Sequence, residues 1–259
     1  MRRTTSLFVV ATTVLFGTCA FAEQKAPELP KNLKHPWAGF KPGSYVKMTS
    51  TMSGKEVKTS TEEYVTTLAK VDSDFVHLEV DTGSEADRSQ TTVIRISVTD
   101  LTGSLHGAAL KEKSRSSESL EIEGKKYACT IIEFDVVPAP KQEGKGEEDV
   151  RVESGSVKLW VSESFPIPLK EEAKVMFGEV EDVSTSAVVK LQEKVKIGGK
   201  ELTCLVKEYT SRYGTDSTAS GRSWICTDVP GFEVKSEGKT MTGEVEVSTA
   251  VEVTEFGVK

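Results

Sequence analysis

A motif that occurs twice constrains this chain more than any other feature. Each copy reads Gly-Lys-x-x-x-Cys, followed by a glutamate and an aromatic residue, then by a tryptophan segment, and finally by Lys-x-Glu. The first copy comprises Gly124–Cys129, Glu133, Phe134, Trp160 and Lys170; the second comprises Gly199–Cys204, Glu208, Tyr209, Trp224 and Lys235. Because copied units usually stack and bury a shared face, the motif predicts a fold of quasi-repeated hairpins.

The spacing within the copies shows where they differ. The two cysteines are 75 positions apart, whereas the two tryptophans are 64 positions apart. The difference falls in Pro138–Gly155, whose Pro, Gly, Lys and Glu content predicts an enlarged loop. The predicted organisation is a leader at 23–42, a first β meander at 43–117, repeat 1 at 118–192 with an insert loop at 138–155, and repeat 2 at 193–259.

Apolar and polar residues alternate along most of the chain after residue 43. Val76, Leu78 and Val80 alternate with His77 and Glu79, and the runs 185–197 and 243–258 show the same period. This period is typical of half-buried antiparallel strands. It predicts an all-β protein with a single curved antiparallel sheet of roughly ten to fourteen strands, forming a half-barrel or open barrel. A two-sheet β-sandwich is the alternative.

The segment between the first meander and the repeats lacks this alternation. Leu105–Leu110 is interpreted as a short helical turn, and Lys111–Ser119 as a polar loop. Long helical periodicity is absent from the chain after residue 22, so no helix of several turns is predicted.

The first 22 residues have the composition of a signal peptide. Arg2 and Arg3 precede the short apolar run Leu7–Phe16, and Ala20–Ala22 fits a cleavage site. Cys19 raises the alternative of a lipoprotein, but the residues before it depart from the lipoprotein pattern. The sequence therefore predicts export to the periplasm or beyond after cleavage near Ala22, with no transmembrane segment in the mature chain.

The chain is acidic, with a formal net charge of −7. This charge disfavours a nucleic-acid partner, because nucleic-acid binding needs a positive surface.

Three cysteines follow the predicted signal peptide: Cys129, Cys204 and Cys226. Export permits a disulfide. The position that matches Cys226 in the first copy is Ser162, so one hypothesis is a Cys204–Cys226 disulfide that leaves Cys129 free. The other is that all three are small buried thiols. No metal site is predicted, because no Cys-x-x-Cys pair or neighbouring histidine accompanies them.

Six residues are candidates for ligand binding because they recur in both copies. Glu133 and Glu208 end an apolar strand face, where an unpaired carboxylate would be costly, so Lys170 and Lys235 are predicted as their partners. The alternatives are a polar anchor in a ligand cavity and an ion pair at the end of a strand. Trp160 and Trp224 either line a ligand site or close the core.

Catalysis has little support in the sequence. The histidines His35, His77 and His106 lie in different segments, and no nucleophile, zinc, phosphate or dinucleotide motif is present. We therefore predict neither catalytic residues nor a cofactor. A hydrolase of envelope polymers, which would use a pair of carboxylates, is the enzymatic alternative.

The repeated module, together with the opening segment Pro36–Lys47, resembles exported bacterial β-rich proteins that are similar to LolA-type periplasmic lipoprotein carriers. The resemblance implies a half-barrel that holds an apolar ligand, an amphiphilic ligand or a lipidated partner on its concave face. In that group helices commonly close an apolar cavity, but this sequence shows no such helices. The alternative function is a structural or interaction module of the cell envelope, with a protein partner and no ligand.

Overall fold

The computed structural model describes residues 30, 33, 35–73, 75–82, 90–97, 109–138 and 152–259, which contain thirteen β-strands and no helix. The strands are β1 (Tyr45–Gly54), β2 (Ser60–Val71), β3 (Phe75–Thr82), β4 (Gln90–Ser97), β5 (Ala109–Ile122), β6 (Lys125–Val137), β7 (Val152–Val161), β8 (Lys170–Phe177), β9 (Val180–Ile197), β10 (Lys200–Tyr213), β11 (Ser217–Ile225), β12 (Glu233–Thr242) and β13 (Val245–Gly257). The all-β prediction is confirmed.

Several sequence predictions lie outside the described residues. These are the signal peptide at 1–22 with Cys19, most of the leader before residue 35, positions 105–108 of the predicted helical turn with His106, and positions 139–151 of the predicted insert loop. The last two residues of that predicted turn, Ala109 and Leu110, begin β5, so there the prediction is wrong.

All thirteen strands form one antiparallel sheet. Its order is β4-β3-β2-β1-β13-β12-β11-β10-β9-β8-β7-β6-β5. Two meanders, β1–β4 and β5–β13, therefore lie side by side and are joined where β1 pairs with β13. The sheet is curled and not closed, with β4 and β5 as its end strands. The prediction of a single curved sheet is confirmed, and the two-sheet sandwich is wrong.

The prediction of a polar loop at Lys111–Ser119 is wrong, because these residues belong to β5. They are exposed, since β5 is an end strand of the sheet and carries polar side chains on both faces. A strand without an apolar face has no period-two signal.

The insert loop predicted at 138–155 ends earlier than predicted, because β7 begins at Val152. The boundaries predicted at 117/118 and 192/193 fall inside β5 and β9.

The sequence repeat is also a repeat of strand register. Cys129 is opposite Glu118 in the β5–β6 pair, and Cys204 is opposite Glu193 in the β9–β10 pair. Trp160 lies between Ile131 and Lys170, as Trp224 lies between Val206 and Lys235. We call β5–β8 the first unit and β9–β12 the second unit.

Each unit curls so that strands four apart in the sheet come into contact, β5 with β9 and β9 with β13. At the β5–β6 turn, the Glu123 carboxylate accepts a hydrogen bond of 2.9 Å from the Leu191 backbone N–H on β9. Ile122, Ile131, Trp160 and Val188 share the core that this curl encloses. The face that carries Trp160 and Trp224 is therefore the inside of the curl, and we call it the inner face.

The core of the second unit is built from equivalent positions. Ile197, Val206 and Trp224 lie where the first unit has Ile122, Ile131 and Trp160. Val253 on β13, the strand after the second unit, takes the place of Val188 on β9, the strand after the first unit. Each of these side chains is almost completely removed from water, which is the main source of favourable free energy in such a fold.

The end of the leader is fixed to the body. Trp37 is buried in the core of the second unit and Phe40 packs against it. The Trp37 ring crosses the backbone of Gly231, where an added Cβ would lie 3.2 Å from it. Farther upstream, Leu33 joins a separate cluster with Ile132, Phe134 and Leu159.

The opposite, outer face of the second unit depends on two glycines. Tyr209 on β10 is directly opposite Gly221, which is opposite Gly238 on β12. The tyrosine side chain extends across both positions, and a Cβ on either glycine would clash with its hydroxyl. Only glycine lets the aromatic ring lie this close to two neighbouring strands.

We predict that Gly221→Ala lowers the free energy of unfolding by about 1–3 kcal/mol, because the new methyl group would overlap the Tyr209 hydroxyl and the Glu237 carbonyl. Urea denaturation would measure the loss. Ser220→Ala is the matched control, since this neighbouring residue is exposed. Equal stability of both variants and the wild type would show that the Tyr209 contact is absent in solution.

Candidate functional site

The two tryptophans close the cores of the two units. Trp160 and Trp224 are 3% and 7% exposed. The Trp160 indole Nε1–H donates to the Glu118 carboxylate at 3.0 Å, and the Trp224 indole donates to Glu193 at 2.7 Å. A carboxylate acceptor makes each bond charge-assisted, so it holds the ring in place. The structure thus favours the core-closing interpretation of these residues.

Glu118 and Glu193 were not predicted as site residues from the sequence. Each lies eleven positions before the cysteine of its copy, so the repeat extends upstream of the glycine at which its motif begins. That common spacing is the signal that would have identified them.

A lysine lies over each tryptophan ring. The Lys170 ammonium is 4.3 Å from the Trp160 ring centroid, and the Lys235 ammonium is 4.7 Å from the Trp224 centroid. Such cation–π contacts stabilise partly exposed sites modestly. Each lysine also pairs with the acid two residues later, Glu172 or Glu237, at 2.7 Å. The Lys-x-Glu motif is therefore an ion pair on one strand face above the ring.

The predicted partners of Glu133 and Glu208 are wrong. Glu133 pairs with Lys158 at 3.6 Å, and Glu208 pairs with Arg222 at 2.5 Å. Lys158 and Arg222 lie directly opposite these acids on the next strand. Such cross-strand neighbours are closer than residues two strands away, where Lys170 and Lys235 lie.

The ion pairs of Glu133 and Glu208 are exposed enough to be weak. The side chains of Glu208 and Arg222 keep 46% and 60% of their surface in water. Exposed pairs of this kind contribute about 0.2–1 kcal/mol. Their arrangement agrees with the strand ion pair that the sequence allowed.

Beyond the tryptophan layer, the inner face of β9–β13 is an open groove of about 420 Å³. Thr210, Ser220 and Lys239 lie in it, each four residues along its strand from the layer that contains Val206, Trp224 and Lys235. An even spacing keeps side chains on one strand face. The full lining is Val183, Thr185, Thr210, Ser211, Arg212, Thr218, Ala219, Ser220, Lys239, Met241 and Glu246.

The groove combines carbon surface with polar groups. Val183 and Met241 supply apolar surface, while the hydroxyls of Thr185 and Thr210 form a 2.9 Å hydrogen bond. Its size falls in the range of small-molecule sites, which is about 300–1,000 Å³. The sequence did not reveal the groove, because each strand contributes only a few threonines, serines and charged residues, which are common on any solvent-exposed strand face.

Two cations of the groove are held by acids on adjacent strands. Arg212 pairs with Glu181 at 2.9 Å, and Lys239 pairs with Glu246 at 3.1 Å. Hydrogen bonds from Lys174 and Arg212 lower the pKa of Glu181 below its usual value, so this carboxyl is ionised at neutral pH.

The cysteines are buried thiols, and the disulfide stays a prediction. Cys204 and Cys226 are 0% and 2% exposed and belong to the same core cluster. Hydrogen-bonding interaction between the two thiols raises the pKa of Cys204 and lowers that of Cys226. In the first unit, Cys129 donates to the Tyr127 carbonyl at 3.5 Å, and burial raises its pKa.

Neither histidine of the described ranges belongs to the groove. His35 is buried in the leader, where burial lowers its pKa to about 4. His77 on β3 contacts the Asp72 carboxylate at 2.9 Å. Among the residues that the structure describes, no three His, Cys, Asp or Glu side chains are grouped to hold a metal ion. The described part of the chain also has no helix long and apolar enough to cross a bilayer.

Comparison with known proteins adds distant structural similarity only. No family model matches the chain, and no curated protein matches it. Similar solved structures include a candidate lipoprotein from Parabacteroides distasonis (8% identity, 87% of this chain and 99% of that chain, TM-score 0.40). A DUF1329 family protein from Desulfovibrio piger is similar at 10% identity over 84% and 86% of the two chains, with a TM-score of 0.33. The hypothetical lipoprotein YmcC from Escherichia coli is similar at 13% identity over 79% and 82%, with a TM-score of 0.24. No functional assignment follows from similarity at this level.

We predict that Glu193→Gln lowers the free energy of unfolding at pH 7 by about 1 kcal/mol, because Trp224 loses a charged acceptor. Hydrogen bonds from Trp224 and Lys190 lower the pKa of Glu193 in the folded protein. The stabilisation from its charge is therefore complete above the unfolded pKa, which is about 4.3, and disappears as the pH falls through the folded value.

Urea denaturation at pH 7 and at about pH 3.5 would test this prediction. The difference between Glu193→Gln and wild type should shrink at the lower pH. Glu201→Gln is the control, since Glu201 is 66% exposed and pairs only at the surface with Lys194. An equal effect of the two substitutions at pH 7 would contradict the role of the indole bond.

Proposed function

We propose that this protein is a non-enzymatic ligand-binding protein of the cell envelope and that the groove on the inner face of β9–β13 holds an amphiphilic small molecule. The observation that carries the proposal is the division of the inner face. Trp224 closes it toward the core, and the far side is open as a groove of about 420 Å³. The signal peptide predicted at 1–22 supports the compartment.

The chemistry of the groove favours an amphiphile over a purely apolar ligand. The resemblance to lipoprotein carriers implies an apolar cavity, but the large apolar side chains of this inner face, such as Val206 and Trp224, are buried in the protein's own core. The open part presents Thr185 and Thr210 hydroxyls beside the carbon surface of Met241. A ligand with both carbon surface and hydrogen-bonding groups matches this lining.

The charged groups of the groove favour an anionic head group. Arg212 and Lys239 form exposed ion pairs with neighbouring acids, and such pairs rearrange at little cost. Either cation can therefore turn from its partner toward a ligand phosphate or carboxylate. Arginine binds such planar or tetrahedral anions with well-matched geometry.

The two alternatives have weaker support. A hydrolase needs a pair of working carboxylates, whereas Glu133 and Glu208 belong to different units and each is paired with a cation. A structural module could use the end strand β5 to add a partner strand. The exposed lysines and glutamates of β5 are, however, typical of edges that resist strand pairing.

We predict that Thr210→Trp weakens the binding of an anionic single-chain lipid at least tenfold, because the new indole would fill the groove. Thr210 is exposed, so the larger side chain should leave the core of the protein unchanged. Native mass spectrometry with lysophosphatidylglycerol, below its micelle concentration, would measure the bound fraction. Thr203→Trp is the control, since it makes the same change on β10 at an exposed position outside the groove.

The wild type and Thr203→Trp should bind the lipid with the same affinity. Equal binding by all three proteins would place the lipid elsewhere on the molecule. No binding by any of them would contradict an amphiphile site in the groove.

A further inference from the structure

Cys204 and Cys226 occupy directly opposite positions on neighbouring strands. Leu205 pairs with Ile225 in the β10–β11 ladder, so the next step of the same register places Cys204 opposite Cys226. The Cys226 N–H donates to the Phe232 carbonyl, on the β12 side, at 2.7 Å. Because a strand residue directs its backbone groups to one side, the Cys204–Cys226 pair is a non-hydrogen-bonded one.

Opposite residues of a non-hydrogen-bonded pair have Cα atoms about 4.5 Å apart. That separation lies inside the range of about 4.4–6.8 Å found for disulfides. Both side chains are buried in the same core cluster. The strand register therefore brings the two sulfurs within reach of each other.

We propose that Cys204 and Cys226 form a disulfide that ties β10 to the end of β11, while Cys129 remains a thiol. The first unit supplies the contrast. Thr130 pairs with Val161, so the same register places Cys129 opposite Ser162, which has no sulfur. The crosslink is therefore a feature of the second unit only.

The crosslink forms by exchange with a donor disulfide such as oxidised glutathione. One of the two thiols, Cys204 or Cys226, loses its proton to solvent and attacks the donor, so that a mixed S–S bond forms and one donor thiolate leaves. The other thiol then loses its proton to solvent and attacks the protein sulfur of the mixed disulfide, which releases the second donor thiolate.

The net reaction joins two protein thiols and reduces one donor disulfide to two thiols, so atoms and electrons balance. Both sulfurs are buried in the folded protein. The exchange therefore takes place while this part of the chain is still open during folding.

The crosslink has a direct connection to the groove. It closes the β10–β11 hairpin at its base, and the distal half of this hairpin carries Thr210, Arg212, Thr218 and Ser220 of the groove lining. The disulfide would fix the two strands that form the middle of the groove. The disulfide is inferred from the strand register, and this inference does not depend on the proposed ligand.

The test is refolding of the full chain from reduced, urea-unfolded protein in a buffer of oxidised and reduced glutathione. Intact-mass analysis should show the loss of two hydrogens relative to the reduced chain. Trypsin should then release a reducible pair of peptides, Glu201–Lys207 joined to Ser223–Lys235. The oxidised protein should melt about 5–10 °C above the reduced protein.

Two variants make the outcome decisive. Cys129→Ser should still lose two hydrogens and keep the shift in melting temperature. Cys226→Ser should show neither change, and it should fold because it recreates the cysteine–serine pair of the first unit. Four alkylatable thiols in the full chain after oxidative refolding, a crosslink that includes Cys19 or Cys129, or a crosslink between chains would each overturn the proposal.

Discussion

The hydrogen bond from each repeated indole to a carboxylate two strands away is the interaction on which both curled units depend. Trp160 on β7 reaches Glu118 on β5, and Trp224 on β11 reaches Glu193 on β9. Each bond therefore crosses an intervening strand and draws the sheet toward its inner face. A buried indole N–H without an acceptor would be costly, so the carboxylate also lets the large ring close the core. The same side chain thus fixes the curl and ends the packed region.

Where the packed region ends, the space for a ligand begins. Above the tryptophans the inner face carries ion pairs, first Lys235–Glu237 and Glu208–Arg222, and then the hydroxyls and methyl groups of the groove. These polar layers cannot close over themselves as an apolar core does, because their charges remain better solvated in water. The arrangement keeps the distal half of the curl open, and this division supports the proposal of an amphiphile site.

The repeat made the strand architecture predictable, because two copies with the same residue order imply the same register, and the structure has Cys129 and Cys204 at equivalent positions. Other features had no signal of that kind. β5 was mistaken for a loop because a strand with two polar faces loses its alternation. The partners of Glu133 and Glu208 depend on strand register, which one sequence does not specify. The groove is assembled from five strands, each of which contributes side chains that are common on any wet surface.

Hydrogen–deuterium exchange of the ligand-free protein tests the division of the inner face most directly. We expect slow exchange for strand amides in the tryptophan layer, at Val206, Trp224 and Lys235, and faster exchange for the groove positions Thr210, Thr218 and Met241 on the same three strands. The corresponding layer of the first unit, at Ile131 and Trp160, should be as protected as that of the second. Uniform protection along β10–β12 would contradict an open groove, because it would mean that the inner face is closed along its whole length.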